Sequence, residues 1–149
     1  MRAVVQRVKT ASVTVSGAEV GRIKNGFLVF LGVGKEDQRD DLEYMVNKIT
    51  GLRAFEDDSG KMNLALSDVG GEMLVVSQFT LFGDCRKGRR PSFTAAADSG
   101  MAKSLYDNFI KEIEKRNIKV STGIFQAMMD VSIINDGPVT FLLDSKKIF

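Results

Sequence analysis

Hydrophobic and polar positions alternate along the first third of the chain, as they do in half-buried β-strands. Residues 4–8 alternate in this way, residues 12–15 continue the pattern, and Gly17 marks a turn before a returning strand over residues 19–24. Residues 26–33 are almost continuously apolar, which predicts a strand buried on both faces. The opening third therefore predicts a sheet.

Two later segments carry the spacing of helices that bury one face. The first apolar stripe consists of Leu42, Met45, Val46 and Ile49. Asp37 or Asp40 is expected to cap this helix, and Gly51 is expected to end it. A second helix is predicted over residues 98–116, and its apolar stripe consists of Met101, Leu105, Phe109 and Ile113.

The remaining patterns predict further strands. Residues 52–55 precede a strong turn signal, and residues 73–81 form another strand. Two final strands, over residues 128–135 and 139–143, are separated by a tight corner. Many strands with two helices predict an α+β fold, a single domain over residues 1–149, with a mainly antiparallel, barrel-like sheet covered by two main helices.

Composition narrows the possible chemistry. The chain has 149 residues, no histidine and one cysteine, Cys85. The missing histidine excludes Ser-His-Asp and Cys-His nucleophilic systems, and neither a metal nor another cofactor is predicted. The absence of a signal sequence, of a long apolar run and of possible disulfides leads us to expect a cytoplasmic protein without membrane contact.

The net charge is only +2, which argues against a general polyanion binder. Any contact with nucleic acid must therefore use a local patch. The strongest candidates for phosphate contact are Arg86, Lys87, Arg89 and Arg90, four basic residues within five positions. The alternative for this segment is a solvated loop.

Two short segments place polar groups where chemistry is possible. Ser77-Gln78-Phe79-Thr80-Leu81 follows an apolar strand, so its hydroxyls, amide and backbone N–H groups could meet a ligand at the strand's exit. Asn135-Asp136-Gly137-Pro138-Val139-Thr140 contains an X-Pro bond next to glycine, which permits close backbone approach to a ligand. The alternatives are an ordinary strand end and a plain β-turn.

Three other positions stand out for their surroundings. Arg7, beside Gln6 in the first strand, is flanked by apolar residues and could donate to a carbonyl or an acid instead of facing solvent. Phe125 and Met129 could line a pocket, although ordinary core packing also explains them.

Taken together and in order, these motifs resemble the D-aminoacyl-tRNA deacylases, also called D-tyrosyl-tRNA deacylases. The resemblance extends along essentially the whole chain. It is carried by residues 6–8, 12–15, 60–63, 77–81, 88 with 90–93, and 135–140. Both of the family's main motifs, at 77–81 and 135–140, are intact.

The resemblance implies a homodimer with two active sites at its interface and a cis Gly-Pro bond whose corner enters the partner's pocket. It implies that Ser77, Gln78, Phe79 and Thr80 form the catalytic floor. It also implies that Gly137 and Pro138 select the chirality of the substrate that binds in the other subunit's active site. Support for the corner comes from Gln6 and Arg7, and the remaining lining candidates are Ala127 and Met129, with Phe125 near the terminal adenosine.

The implied reaction is hydrolysis of the ester in D-aminoacyl-tRNA, a proofreading step of translation that spares L-aminoacyl-tRNA. Without histidine, catalysis is expected to use backbone N–H groups of Phe79 and Thr80 as an oxyanion site, with help from the substrate's ribose hydroxyl. The rival assignment makes Thr80 a covalent nucleophile.

If the Gly137 and Pro138 carbonyls approach the substrate's Cα, an L side chain would collide with them. Glycine would pass the same filter, so glycyl-tRNA mischarged on tRNA-Ala is a further expected substrate. The alternative function is a non-catalytic nucleic-acid-binding module, supported by the basic segment alone.

Overall fold

The computed structural model describes residues 1–148. Within them the strands are β1 Arg2–Val15, β2 Ala18–Ile23, β3 Gly26–Gly32, β4 Phe55–Glu56, β5 Met62–Leu64, β6 Glu72–Ser77, β7 Val120–Thr122 and β8 Asp130–Asp144. The helices are α1 Arg39–Thr50 and α2 Ser99–Glu114, and Phe79–Phe82 form a short 3₁₀ turn. In this part of the chain no helix has the length and apolar character needed to cross a membrane.

The main sheet is built around β1. Its strands run in the order β2-β1-β3-β6-β7, and β8 pairs along the other edge of β1. The β1 pairings are antiparallel, whereas β3 with β6 and β6 with β7 are parallel. The sheet curls towards closure where Ser121 Oγ donates to the Arg22 carbonyl at 3.0 Å. At this seam a Cβ on Gly21 would lie 2.4 Å from the Thr122 carbonyl, so only glycine allows the approach.

Two apolar clusters cover the two faces of the sheet. Phe27 and Val29 of β3 point towards α1 and α2, where Phe109 is fully buried. Leu28 points the other way, into the interior of the curled sheet with Leu74 of β6. The near-continuous apolar run of β3 is therefore explained by burial on both faces, as predicted. The predicted α+β class, with a barrel-like sheet and two helices, is confirmed, although the sheet is mixed where parallel strands join it.

Three strands differ in their bounds from the sequence predictions. The strand predicted over residues 73–81 ends at Ser77, and the one predicted over residues 52–55 is reduced to the short β4, paired with β5 in a separate hairpin. The two final predicted strands form the single strand β8, whose register with β1 is interrupted around the corner. These errors share a cause, because strand bounds depend on which partner backbone is within reach.

The cap predicted for α1 is also wrong. Gln38 is the N-cap, and its backbone N–H donates to Asp41 Oδ2 at 2.9 Å. Asp37 is instead occupied by the Gly34 N–H and the Met1 amino group, both at 2.6 Å. Gly51 ends the helix as predicted.

Asp41 ties the start of α1 to the residues that follow β8. Its carboxylate accepts from Ser145 Oγ at 2.7 Å and from Lys146 Nζ at 2.8 Å. Burial acts to raise the pKa of Asp41, but the hydrogen bonds from Lys146, Ser145 and Gln38 outweigh it and lower that pKa from 3.8 to about 2. The ionised carboxylate therefore stabilises the folded state.

We predict that Asp41→Asn lowers the free energy of unfolding at pH 7 by about 1–3 kcal/mol, since charge-assisted hydrogen bonds are lost. The folded-state pKa lies below the unfolded value, so this stabilisation is fully present above about pH 4 and disappears as the pH falls towards about 2. Urea titrations of wild type and variant from pH 7 to 2.5 measure the difference. The exposed neighbour Asp40→Asn is the control, and a difference independent of pH would contradict the assignment.

Candidate active site

A cavity of about 700 Å³ opens beyond the end of β6. The residues at the end of β6 form one side of the cavity. The start of α2 forms a second side, and the loop before β8 forms a third. The lining residues are Val33, Val76, Ser77, Gln78, Phe79, Thr80, Ala97, Ser99, Ala102, Phe125, Gln126, Ala127, Met128, Met129 and Val131. Seven predicted site residues thus meet in one place: Ser77, Gln78, Phe79 and Thr80 with Phe125, Ala127 and Met129.

The floor of this cavity is shaped by a change from strand to turn. Gln78 N–H donates to the Leu31 carbonyl at 2.8 Å. This is the last hydrogen bond by which the segment after β6 is joined to β3. The backbone then coils, with Gly83 N–H donating to the Thr80 carbonyl at 2.9 Å. The first N–H groups of a helical turn have no carbonyl partner within it, so those of Phe79 and Thr80 remain available to a ligand.

No ionisable side chain belongs to this lining. The Thr80 hydroxyl oxygen accepts from the Gln78 side-chain amide, and no carboxylate or amine contacts it among the described residues. A general base must lie within hydrogen-bond reach of the proton it removes. The cavity therefore offers hydroxyls, amides and backbone donors, which position and polarise a substrate without exchanging protons as a carboxylate or imidazole would.

A buried tyrosine links β6 to the Phe125 side of the cavity. Tyr106 Oη donates to the Val75 carbonyl at 2.8 Å, and its ring lies 5.9 Å from that of Phe125. Burial raises the pKa of Tyr106, so the hydroxyl stays protonated and remains a donor. The Met129 side chain packs against Gly123 on this side of the cavity, where a Cβ would lie 2.5 Å from Met129 Sδ unless that flexible side chain moved.

The contribution of the α2 region to the cavity wall was not predicted from the sequence. Ala97, Ser99 and Ala102 line the cavity, yet the pattern of α2 accounts only for its buried stripe. The available signal was weak: small residues spaced three apart at a helix start leave room beside the backbone. Gln126 and Met128 were also missed, and Met128 is almost fully exposed at 92%.

The Gly137-Pro138 corner lies outside the cavity of its own chain. Both residues are exposed, and the peptide bond between them is cis. Arg7, only 5% exposed, donates from Nε to the Asp136 carbonyl at 3.2 Å and from a terminal nitrogen to the Ala54 carbonyl at 2.6 Å. Arg7 Nε also lies 3.1 Å from the Asp136 carboxylate.

The far side of the corner is held as well. Gln6 Nε2 donates to Thr140 Oγ1 at 3.1 Å. The side chain of Asn135 spans the corner's ends, since it accepts from Val139 N–H at 2.9 Å and donates to the Val139 carbonyl at 3.1 Å. The corner is thus presented to the outside on a fixed backbone.

Comparison with known proteins identifies this arrangement. The family model of D-Tyr-tRNA(Tyr) deacylase matches residues 4–144, nearly the whole chain. The chain belongs to the D-Tyr-tRNA(Tyr) deacylase family. The resemblance inferred from the motifs is confirmed, and with it the assignment of the chain as a hydrolase of ester bonds.

Curated relatives agree with this deacylase assignment along their full length. The D-aminoacyl-tRNA deacylase of Thermosipho africanus (strain TCF52B) is 59% identical over 149 residues, and that of Desulfotalea psychrophila (strain LSv54 / DSM 12343) is 61% identical over 149 residues. In both pairs the match covers 100% of each chain.

Two solved structures are similar. A c-Myc DNA Unwinding Element Binding Protein is 44% identical with a TM-score of 0.91, and the match covers 97% of this chain and 98% of that one. A probable eukaryotic D-amino acid tRNA deacylase has a TM-score of 0.79 at 18% identity, and the match covers 95% of this chain and 97% of that one. At this identity the similarity supports the fold alone.

The deacylase carries its basic segment outside the cavity. Asp84 and Ser92 exchange backbone hydrogen bonds at 2.8 and 3.0 Å, so the residues between them form a closed hairpin. Arg86 pairs with the Asp84 carboxylate at 2.6 Å, and hydrogen bonds from its side chain hold the pKa of Asp84 well below its usual range. Lys87, Arg89 and Arg90 are exposed.

Proposed function

We propose that this deacylase hydrolyses the ester between a D-amino acid and the terminal ribose of tRNA, releasing the free amino acid and tRNA. The observation that carries the proposal is the 3₁₀ turn after Ser77, whose available N–H groups lie in the lining of a neutral cavity in a member of this family. The test is release of labelled D-Tyr from D-Tyr-tRNA, with L-Tyr-tRNA as the comparison.

The mechanism needs no ionisable side chain. An aminoacyl ester is already labile, and its neighbouring ribose hydroxyl can assist. Positioning and charge stabilisation therefore supply most of the acceleration. The backbone N–H groups of Phe79 and Thr80 bind the oxyanion that develops on the carbonyl oxygen, and water is the final acceptor of the acyl group. Ser77 and Gln78 hold the ester against this turn.

Thr80→Val tests the rival nucleophile role. Valine keeps the shape of threonine, removes the hydroxyl and leaves the backbone N–H in place. We expect kcat on D-Tyr-tRNA to stay within about fivefold of wild type, whereas loss of a true nucleophile costs about four orders of magnitude or more. Single-turnover deacylation measures the rate, and a loss of that larger size would reinstate the nucleophile.

A homodimer completes the proposed site. The strand β8 pairs only with β1, so its other edge is free among the described residues. Exposed apolar side chains along it include Ile133 at 39%, Ile134 at 56% and Leu142 at 62%. An edge of this length with apolar side chains is suited to pairing with a second copy. The exposed Gly137-Pro138 corner would then enter the partner's cavity.

We predict that the double variant Ile134→Arg, Leu142→Arg converts the dimer to a monomer. Deacylation is then expected to fall about a hundredfold, because each cavity loses the positioning that the partner's corner supplies. Analytical ultracentrifugation and deacylation assays at the same protein concentration measure the two effects. Val20→Arg, an exposed apolar position on β2, is the matched control. A fully active monomer would disprove the shared site.

The corner would discriminate D- from L-aminoacyl groups by steric exclusion of the L side chain. Backbone carbonyls of Gly137 and Pro138 close to the substrate's Cα leave room for hydrogen but not for an L side chain. This is specificity through a steric clash, without added attraction for any D side chain. Glycine has no side chain to clash, so glycyl-tRNA mischarged on tRNA-Ala is also accepted.

The exclusion account predicts similar kcat/KM for D-Tyr-tRNA, D-Leu-tRNA and D-Asp-tRNA, hydrolysis of glycyl-tRNA, and no enzyme-dependent release from the L-aminoacyl counterparts. Initial rates are compared with spontaneous hydrolysis of each ester in the same buffer. A strong preference for a single D side chain would show instead that the cavity recognises that side chain directly.

The second candidate is a nucleic-acid-binding module without hydrolysis. It is favoured by the name of the 44% identical structure, which describes binding to a DNA unwinding element. The D-Tyr-tRNA assay separates the two: absence of D-Tyr release at micromolar enzyme would leave binding as the function.

A further inference from the structure

We propose that Phe79 and Phe93, together with Lys87, Arg89 and Arg90, form a binding surface for the unpaired 3′-terminal nucleotides of tRNA. The bases would stack on the rings, and the cations would contact the phosphates. This inference rests on the proposed function and adds to it where the RNA lies. We call these five residues the aromatic-basic surface.

The aromatic part lies at the edge of the cavity. Phe79 belongs to the cavity lining, and its ring nevertheless remains 56% exposed. Phe93 packs edge-on against it, with ring centroids 5.0 Å apart, and is itself 38% exposed. The Phe93 ring also packs closely against Gly83, where a Cβ would lie 3.0 Å from Phe93 Cε1. Two exposed aromatic rings beside an ester-binding cavity are suited to stacking unpaired bases.

The basic part is joined directly to the aromatic part. Ser92, at the base of the closed hairpin, is the neighbour of Phe93 in the chain. Arg89 is three residues from Ser92, so their Cα atoms lie at most about 11 Å apart. The cations therefore lie on a short hairpin whose base adjoins Phe93.

The basic side chains of this hairpin differ in whether an acidic residue pairs with them. Arg86 forms an ion pair with Asp84. Lys87, Arg89 and Arg90 have no ion pair among residues 1–148. The cavity lining carries no ionised group that could attract a polyanion. Attraction to the phosphates must therefore come from outside the cavity, and three free cations beside exposed aromatic rings match the combination that binds single-stranded nucleic acid.

The first variant replaces Lys87, Arg89 and Arg90 by Gln. Its matched control replaces Lys48, Lys61 and Lys111 by Gln, three exposed lysines elsewhere in the chain that have no ion pair among the described residues. The kcat/KM for D-Tyr-tRNA is measured over a range of NaCl concentrations. We expect the slope of log kcat/KM against log salt to become shallower by about 2 in the first variant, since each contact with a single-strand phosphate contributes about 0.7.

The second variant, Phe93→Leu, removes the ring while keeping an apolar side chain. It is compared on D-Tyr-tRNA and on the D-tyrosyl ester of adenosine, which lacks the other nucleotides. We expect the ratio of kcat/KM for tRNA to that for the adenosine ester to fall about fivefold or more, because a base stack is lost. Circular dichroism checks folding, and the Gln variant, altered only at exposed positions, provides the independent test.

The outcomes separate the two levels of inference. A wild-type protein that hydrolyses neither ester overturns the proposed function. An active wild type whose salt slope is unchanged in the Gln variant, or changed equally in the control, overturns the aromatic-basic surface and leaves the deacylase intact. An unchanged substrate ratio in a folded Phe93→Leu protein removes the aromatic part of the surface.

Discussion

The buried guanidinium of Arg7 in β1 determines how the outer Gly137-Pro138 corner of this protein is presented. The charge on Arg7 is taken out of water, and a buried charge is tolerated only when its hydrogen-bond donors are matched by acceptors. Its partners come from two distant segments, the Asp136 backbone and carboxylate and the Ala54 carbonyl. Because these partners converge on one side chain, the corner, β1 and the segment before β4 cannot move independently.

The same reliance on backbone recurs at the cavity. Its floor is a turn that begins where the β6 ladder ends, so the available N–H groups are set by hydrogen-bond geometry instead of by side-chain identity. Backbone donors held by a sheet are already oriented before a substrate arrives, and this preorganisation is what makes such donors effective towards a developing oxyanion. The proposed catalysis by backbone donors would need no histidine, and the chain has none.

The exposed cations and the proposed reaction site lie in different parts of the molecule. The cavity is neutral, whereas free cations lie on an exposed hairpin whose base adjoins Phe93. A neutral cavity avoids the desolvation cost of burying an ion, and exposed cations keep their hydration until a polyanion approaches. The division suits a substrate with one small reactive ester and a long charged remainder.

Much about this protein was determined by the sequence alone. The two apolar stripes predicted both helices, the continuous apolar run predicted a doubly buried β3, and the two ordered motifs pointed to the family. Local patterns suffice there, because periodicity reflects which face of an element is buried. The same local patterns misplaced the α1 cap and extended β6 to Leu81, since caps and strand ends depend on competing partners.

Only the tertiary structure decided the rest. The carboxylate of Asp37 does not cap α1 because it also binds the Met1 amino group, 36 residues away in the chain, a contact that no local pattern contains. Ala97, Ser99 and Ala102 entered the cavity wall because α2 starts beside the end of β6. Arg7 found its partners more than 40 residues away in the chain. A sequence records which groups are available, and their meeting depends on long-range packing, which has no short-range signature.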